Sequence, residues 1–143
     1  MEEVREIIFY GRSGDGVNVV ADRFVQDLIR RGFYAVAYPE FDPERRETLA
    51  KVHVRVSKEP FDVRGPVTKP EIAVILDVRA VNNSQEILGA RKIIVNAPNR
   101  EFVTKYLGNT DAEVIHMDLH SLRKVGADYT PHVIESLMKL LDL

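Results

Sequence analysis

The stretch Ile7-Ile8-Phe9-Tyr10-Gly11-Arg12-Ser13-Gly14-Asp15-Gly16 constrains this chain more than any other. A short apolar run meets three glycines within six residues, and a pattern of helical period follows at once. Glycine is needed where the backbone takes positive φ or where another group must approach the main chain closely. A strand that turns so abruptly into a helix aims the first free amides of that helix out of the turn. These amides carry the positive end of the helix dipole and suit an anion or a partner's carbonyl groups. The Gly-x-x-Gly-x-Gly spacing differs from that of the dinucleotide fingerprint and from the P-loop, and no Gly-Lys-Ser/Thr follows it, so the pattern alone does not specify a nucleotide.

The rest of the chain repeats the same alternation. After Gly16, Val17, Val20, Ala21, Phe24, Leu28 and Ile29 recur at helical spacing, with Ser13 or Asp15 as expected caps and Gly32 as the stop. Phe33–Tyr38 reads as a second strand, expected to run parallel to the first after a right-handed crossover. Residues 49–57 alternate, with Val52, Val54 and Val56 on one side and Lys51, His53, Arg55 and Ser57 on the other. That is the pattern of a half-exposed strand near a sheet edge, and it makes His53 a solvated residue. Residues 59–69 form a proline- and glycine-containing connection. Further strands are expected over 71–77, 92–96 and 112–116. Helices are expected over 84–88, 100–107, 118–126 and 131–141. Strands alternating with helices define an α/β domain with an open, mainly parallel sheet and helices on both faces, three layers in all.

Size and composition narrow the function. A chain of 143 residues reads as a single domain, residues 1–143. Its net charge is −2 and its Lys and Arg residues are scattered, which argues against a nucleic-acid partner. No apolar run approaches the roughly 20 residues of a membrane span, and the first residues lack a signal-peptide pattern, so a cytoplasmic location is expected. The sequence contains no cysteine, which excludes disulfides, thiol nucleophiles, zinc–thiolate sites and cysteine-ligated clusters on this chain. Of four histidines only His116 and His120 share an i, i+4 spacing, and His116 falls at the end of an expected strand, so no metal site is assigned.

The second informative stretch is Pro39-Glu40-Phe41-Asp42-Pro43-Glu44-Arg45-Arg46, at the carboxyl end of the second expected strand. Open α/β sheets place their binding crevices on that edge. Paired guanidinium groups suit a phosphate or a partner carboxylate, whereas local ion pairs with Glu44 and Glu47 would leave only a solvated cluster.

With these two stretches in order, the chain resembles the gamma subunit, or gamma domain, of the 2-oxoacid:ferredoxin oxidoreductases, the pyruvate and ketoisovalerate enzymes among them. That family carries a Gly-Arg-Gly-Gly-Gln-Gly-Val turn where this chain has Gly11–Val17. It carries Pro-x-Phe-Gly-Pro-Glu-Arg-Arg where this chain has Pro39–Arg46, and the alternating strand ending Val54-Arg55-Val56-Ser57 follows in both. The resemblance implies a Rossmann-like fold and a non-redox subunit of a complex that oxidatively decarboxylates a 2-oxoacid to an acyl-coenzyme A. Thiamine diphosphate and iron–sulfur clusters are then held by the other subunits, and no cofactor is held by this chain alone. Coenzyme A is the ligand whose side of the site this chain would help to form. The resemblance assigns contact rather than chemistry to Gly11, Arg12, Ser13, Gly14, Asp15 and Gly16 in the turn and to Glu44, Arg45 and Arg46 in the facing loop, with no catalytic residue and no metal.

Two departures from the family pattern stand out. Ser13 and Asp15 replace glycine and glutamine, and a carboxylate at a helix N-terminus would occupy the amides that an anion needs. Glu47-Thr48 replaces the small pair that usually follows Glu-Arg-Arg. Two further readings stay open: a stand-alone module holding a phosphate-bearing ligand between Arg12, Arg45, Arg46 and the turn, and a structural homo-oligomer joined through the half-exposed strand.

Overall fold

The computed structural model describes residues 4–12, 16–40, 49–67, 69–78, 87, 89–108, 110–118 and 129–143. Six strands form one sheet: β1 (Arg5–Arg12), β2 (Tyr34–Glu40), β3 (Leu49–Ser57), β4 (Ile72–Ile75), β5 (Lys92–Asn96) and β6 (Glu113–Met117), in the order β2-β3-β1-β4-β5-β6. Among the described residues three helices accompany them: α1 (Val17–Arg30), α2 (Arg100–Leu107) and α3 (Thr130–Leu140).

The sheet is mixed. β1, β4, β5 and β6 run parallel, whereas β3 pairs antiparallel with both β1 and β2. β2 therefore points the same way as β1, as expected, but β3 lies between them. The alternating strand lies one in from the edge of the sheet, near it as expected, but it is not half-exposed: His53, Arg55 and Ser57 are as buried as the valines that alternate with them.

Alternating side chains feed two apolar layers. Ile7, Phe9, Val52, Val54, Val56, Ile72, Val74 and Ile94 face α1 and α3, which contribute Val20, Phe24, Leu28, Val133 and Leu137. On the opposite face Ile8, Tyr10, Ala73, Ile75, Ile93 and Val95 pack with Leu107 and, more loosely, Phe102, Val103 and Tyr106 of α2. Helices on both faces give the expected three layers.

The helix ends follow backbone chemistry. α1 begins on Gly16, whose φ of 74° is the left-handed conformation that favours glycine. It closes with the Gly32 amide on Ile29 and the Phe33 amide on Leu28, the paired bonds of a Schellman end, with Gly32 at φ 93°. Asn99 caps α2 by accepting the Phe102 amide at 3.1 Å. Of the expected helix over 84–88 only Ile87 is described, and it is buried. The expected helix over 118–126 lies outside the described residues apart from Asp118.

Candidate functional site

β1 runs two residues further than its apolar core suggests. Gly11 and Arg12 stay in the sheet opposite Ala50 and Leu49, so Gly11 is a buried strand residue and not part of the turn. Arg12 is exposed at the strand's end. Gly16 is the turn's described glycine, and its carbonyl accepts the Val20 amide at 3.0 Å to start α1. The first turn of α1 carries no acidic side chain. The expected caps and contacts Ser13, Gly14 and Asp15, and the facing Glu44, Arg45 and Arg46, lie outside the described residues.

What the described residues fix is where the two arms of the site depart. β1 ends at Arg12 and β3 begins beside it at Leu49, while β2 ends at Glu40 opposite Lys51. The segments 13–15 and 41–48 therefore leave from one end of the sheet, the carboxyl end of the parallel strands, as the sequence implies.

That rim holds further residues, of which sequence reasoning did not single out Lys51. Lys51 sets its ammonium 5.4 Å from the Tyr10 ring centre and 3.1 Å from Glu40 Oε2, tying β1, β3 and β2 together. The signal was present in the alternation, since Lys51 shares a face with His53 and Arg55. Asp77 and Asn96 sit nearly fully buried just past β4 and at the end of β5, and Asn96 Nδ2 donates to the Leu76 carbonyl at 2.8 Å.

Below the rim, the polar face of β3 is covered by residues 58–67. Arg55 donates from Nε to Glu6 at 2.8 Å, from Nη1 to the Gly65 carbonyl at 2.8 Å and to the Tyr38 hydroxyl, and from Nη2 to the Pro66 carbonyl at 3.3 Å. The Tyr38 hydroxyl donates to the Gly65 carbonyl. His53 Nδ1 accepts the Val67 amide at 3.0 Å, its Nε2 lies 3.8 Å from Glu40, and its ring stacks on Tyr38 at 5.4 Å. His53 is thus a tie inside the fold and not the solvated residue expected. Burial pushes the Tyr38 phenol above its ordinary pKa, against the pull of the neighbouring Arg55 guanidinium and with a smaller push from Glu6.

His116 lies on β6 with Nε2 2.6 Å from the Ala97 carbonyl, and His120 lies outside the described residues. Among the described residues no three side chains are grouped to hold a metal ion, and no helix is long and apolar enough to cross a membrane.

Taken together, the sheet and its rim define an α/β domain of Rossmann-like build, with a glycine-rich turn and an arginine-bearing segment leaving one edge. The chain belongs to the pyruvate ferredoxin/flavodoxin oxidoreductase family, whose profile matches residues 6–135. It is 26% identical over 117 residues to the common gamma subunit of the pyruvate/ketoisovalerate oxidoreductases of Thermococcus litoralis, covering 79% of this chain and 63% of that one. It is 35% identical over 72 residues to the pyruvate synthase subunit PorC of Methanothermobacter marburgensis, covering 50% of this chain and 41% of that one. The chain thus spans less than two thirds of the length of either relative.

Among solved structures, the pyruvate oxidoreductase subunit PORC of Thermotoga maritima superposes with a TM-score of 0.75 at 19% identity, covering 96% of this chain and 76% of that one. The 2-oxoglutarate:ferredoxin oxidoreductase of Magnetococcus marinus, solved with 2-oxoglutarate, coenzyme A and succinyl-CoA bound, superposes with a TM-score of 0.62 at 14% identity. That match covers 89% of this chain and 22% of that one. At these identities the likeness concerns the fold.

Proposed function

We propose that this chain is a gamma-type, non-redox subunit of a 2-oxoacid:ferredoxin oxidoreductase that converts a 2-oxoacid to an acyl-coenzyme A. The observation that carries the reading is the family match across residues 6–135, together with relatives that are themselves gamma or PorC subunits. The composition supports it, because a chain without cysteine offers no thiolate to an iron–sulfur cluster. In this reading the clusters and thiamine diphosphate reside on the other subunits. This chain supplies contacts through the rim where segments 13–15 and 41–48 depart, on the coenzyme A side of the site. Its working groups are Gly11, Arg12 and Gly16, with Ser13, Gly14, Asp15, Glu44, Arg45 and Arg46 in the adjoining segments. The Magnetococcus marinus enzyme, alike in fold, was solved with coenzyme A bound, and the coenzyme A side of this reading draws on that likeness and on no residue contact.

Affinity capture of the tagged chain from its native extract tests the reading. Thiamine-binding and iron–sulfur subunits are expected in amounts comparable to the bait, and recovery of the chain alone overturns the proposal. Replacing Arg45 and Arg46 with alanine is expected to weaken capture about tenfold, equivalent to about 1.4 kcal/mol. Folding stability should change by no more than about 0.5 kcal/mol, as for contact residues outside a core. A large loss of stability would make the pair structural instead.

A further inference from the structure

At the end of the sheet opposite the glycine turn, where β1, β4 and β5 begin and β3 ends, the surface folds into a cavity of about 880 Å³. That volume lies in the range of small-molecule sites, roughly 300–1,000 Å³. Four cationic side chains line it, Arg5, Lys58, Lys69 and Arg91, against two carboxylate side chains, Glu6 and Glu71, with Leu143 also on the wall.

Both carboxylates are already engaged. Glu6 takes the Nε of buried Arg55 at 2.8 Å. Glu71 takes Arg5 in a two-point pairing at 3.0 and 2.6 Å, and Arg5 donates a further bond to the Leu141 carbonyl at 2.5 Å. Lys58, Lys69 and Arg91 make no ion pair among the described residues, and they come from three separate connections, after β3, before β4 and before β5. Three cations gathered around one hollow repel one another, and a bound anion relieves that repulsion. The chain as a whole is negative, at −2, so the positive sign is a property of this place and not of the surface at large. Phe33 and Pro70 add an apolar wall that lowers the local dielectric and offers a face to a ring.

We infer that this cavity binds a small organic polyanion, its phosphate or carboxylate groups on Lys58, Lys69 and Arg91 and its apolar part against Phe33 and Pro70. The site lies across the length of the sheet from Gly11, Arg12 and Gly16 and is independent of the subunit role proposed above. The exposed positions of the three cations mean that their replacement leaves the core intact.

Calorimetric titration of the full chain with ADP and with inorganic pyrophosphate, at low and moderate salt, provides the test. Saturable binding of one ADP per chain is expected, weakening as salt rises. The triple variant Lys58→Ala/Lys69→Ala/Arg91→Ala should lose at least about tenfold in affinity while keeping its thermal midpoint. Arg12→Ala should leave affinity within about twofold. Amide shifts on titration should fall around residues 56–58, 69–71 and 91. Absence of saturable binding by both probes at millimolar concentration overturns the site. So does unchanged affinity in the triple variant, or a loss caused by Arg12→Ala instead.

Discussion

The two faces of β3 are shut off from water by unlike means. On one, Val52, Val54 and Val56 press against α1 and its Phe24, joined by Phe9 of the neighbouring strand, whose ring lies 6.0 Å from that of Phe24. On the other, His53 and Arg55 lie under residues 58–67 and are held by Glu6, Tyr38, two backbone carbonyls and one backbone amide. Apolar burial is non-directional and stabilises in proportion to area. A buried guanidinium or imidazole stabilises only while its partners stay in place, since its desolvation cost stands whether or not they do. One strand thus carries a tolerant face and a conditional one.

The largest expected effect lies on the tolerant face. Phe24→Ala should cost about 4 kcal/mol in chemical denaturation, the usual loss for a fully buried aromatic ring. A cost below about 2 kcal/mol would show that α1 collapses into the space and that this layer is looser than its burial implies. Next comes Arg55→Met, which keeps the side-chain bulk but leaves Glu6 and the Pro66 carbonyl without their donor and the Gly65 carbonyl with the Tyr38 hydroxyl alone. It should cost about 3 kcal/mol. Hydrogen exchange should rise more in residues 59–67 than in α1. Unchanged or increased stability would mean that the polar face is not conditional at all.

The smallest effect belongs to Tyr38→Phe, about 1 kcal/mol for one hydroxyl that accepts from Arg55 and donates to Gly65. It also sharpens the pH behaviour. The folded protein holds the Tyr38 phenol proton more tightly than the unfolded chain does. The stability linked to that proton is therefore complete below the ordinary tyrosine value of about 10 and is lost as pH rises through the raised folded value. Unfolding midpoints between pH 8 and 11.5 should fall less steeply in Tyr38→Phe than in the parent. Parallel curves would remove Tyr38 from the alkaline transition.

Much of the fold was legible because local patterns matched the final packing. The span of β5 and the residues of α2 were read directly from Lys92–Asn96 and Arg100–Leu107, and α1 from its period and its glycine stop. The exposure of β3 was misread for a physical reason. Alternation normally reports one wet face, but here the wet-looking residues are buried because their partners come from 10 to 49 positions away, a pairing no local window contains. The end of the sheet from which the two candidate stretches depart was legible from the order of strands and glycines. The allotment of glycines within the turn was not, because Gly11 and Gly16 look alike in sequence while one sits flat in a ladder and the other is left-handed. The pairing of Lys51 with Glu40 was not legible, because the two residues meet only across neighbouring strands.

The antiparallel seat of β3 also makes its register self-checking. Side chains alternate with a period of two, so sliding β3 by a single residue against β1 and β2 would exchange its faces at one stroke. The valines would then lie beneath the carbonyls of Gly65 and Pro66, and the guanidinium of Arg55 would be thrust toward Phe24. Each error is penalised by a different force, one by loss of burial and the other by an unanswered charge, and no compensation for the first relieves the second. The pairing of Gly11 with Ala50 is thereby fixed from both sides of the sheet. The two arms of the candidate site spring from a ladder that has only one alignment open to it.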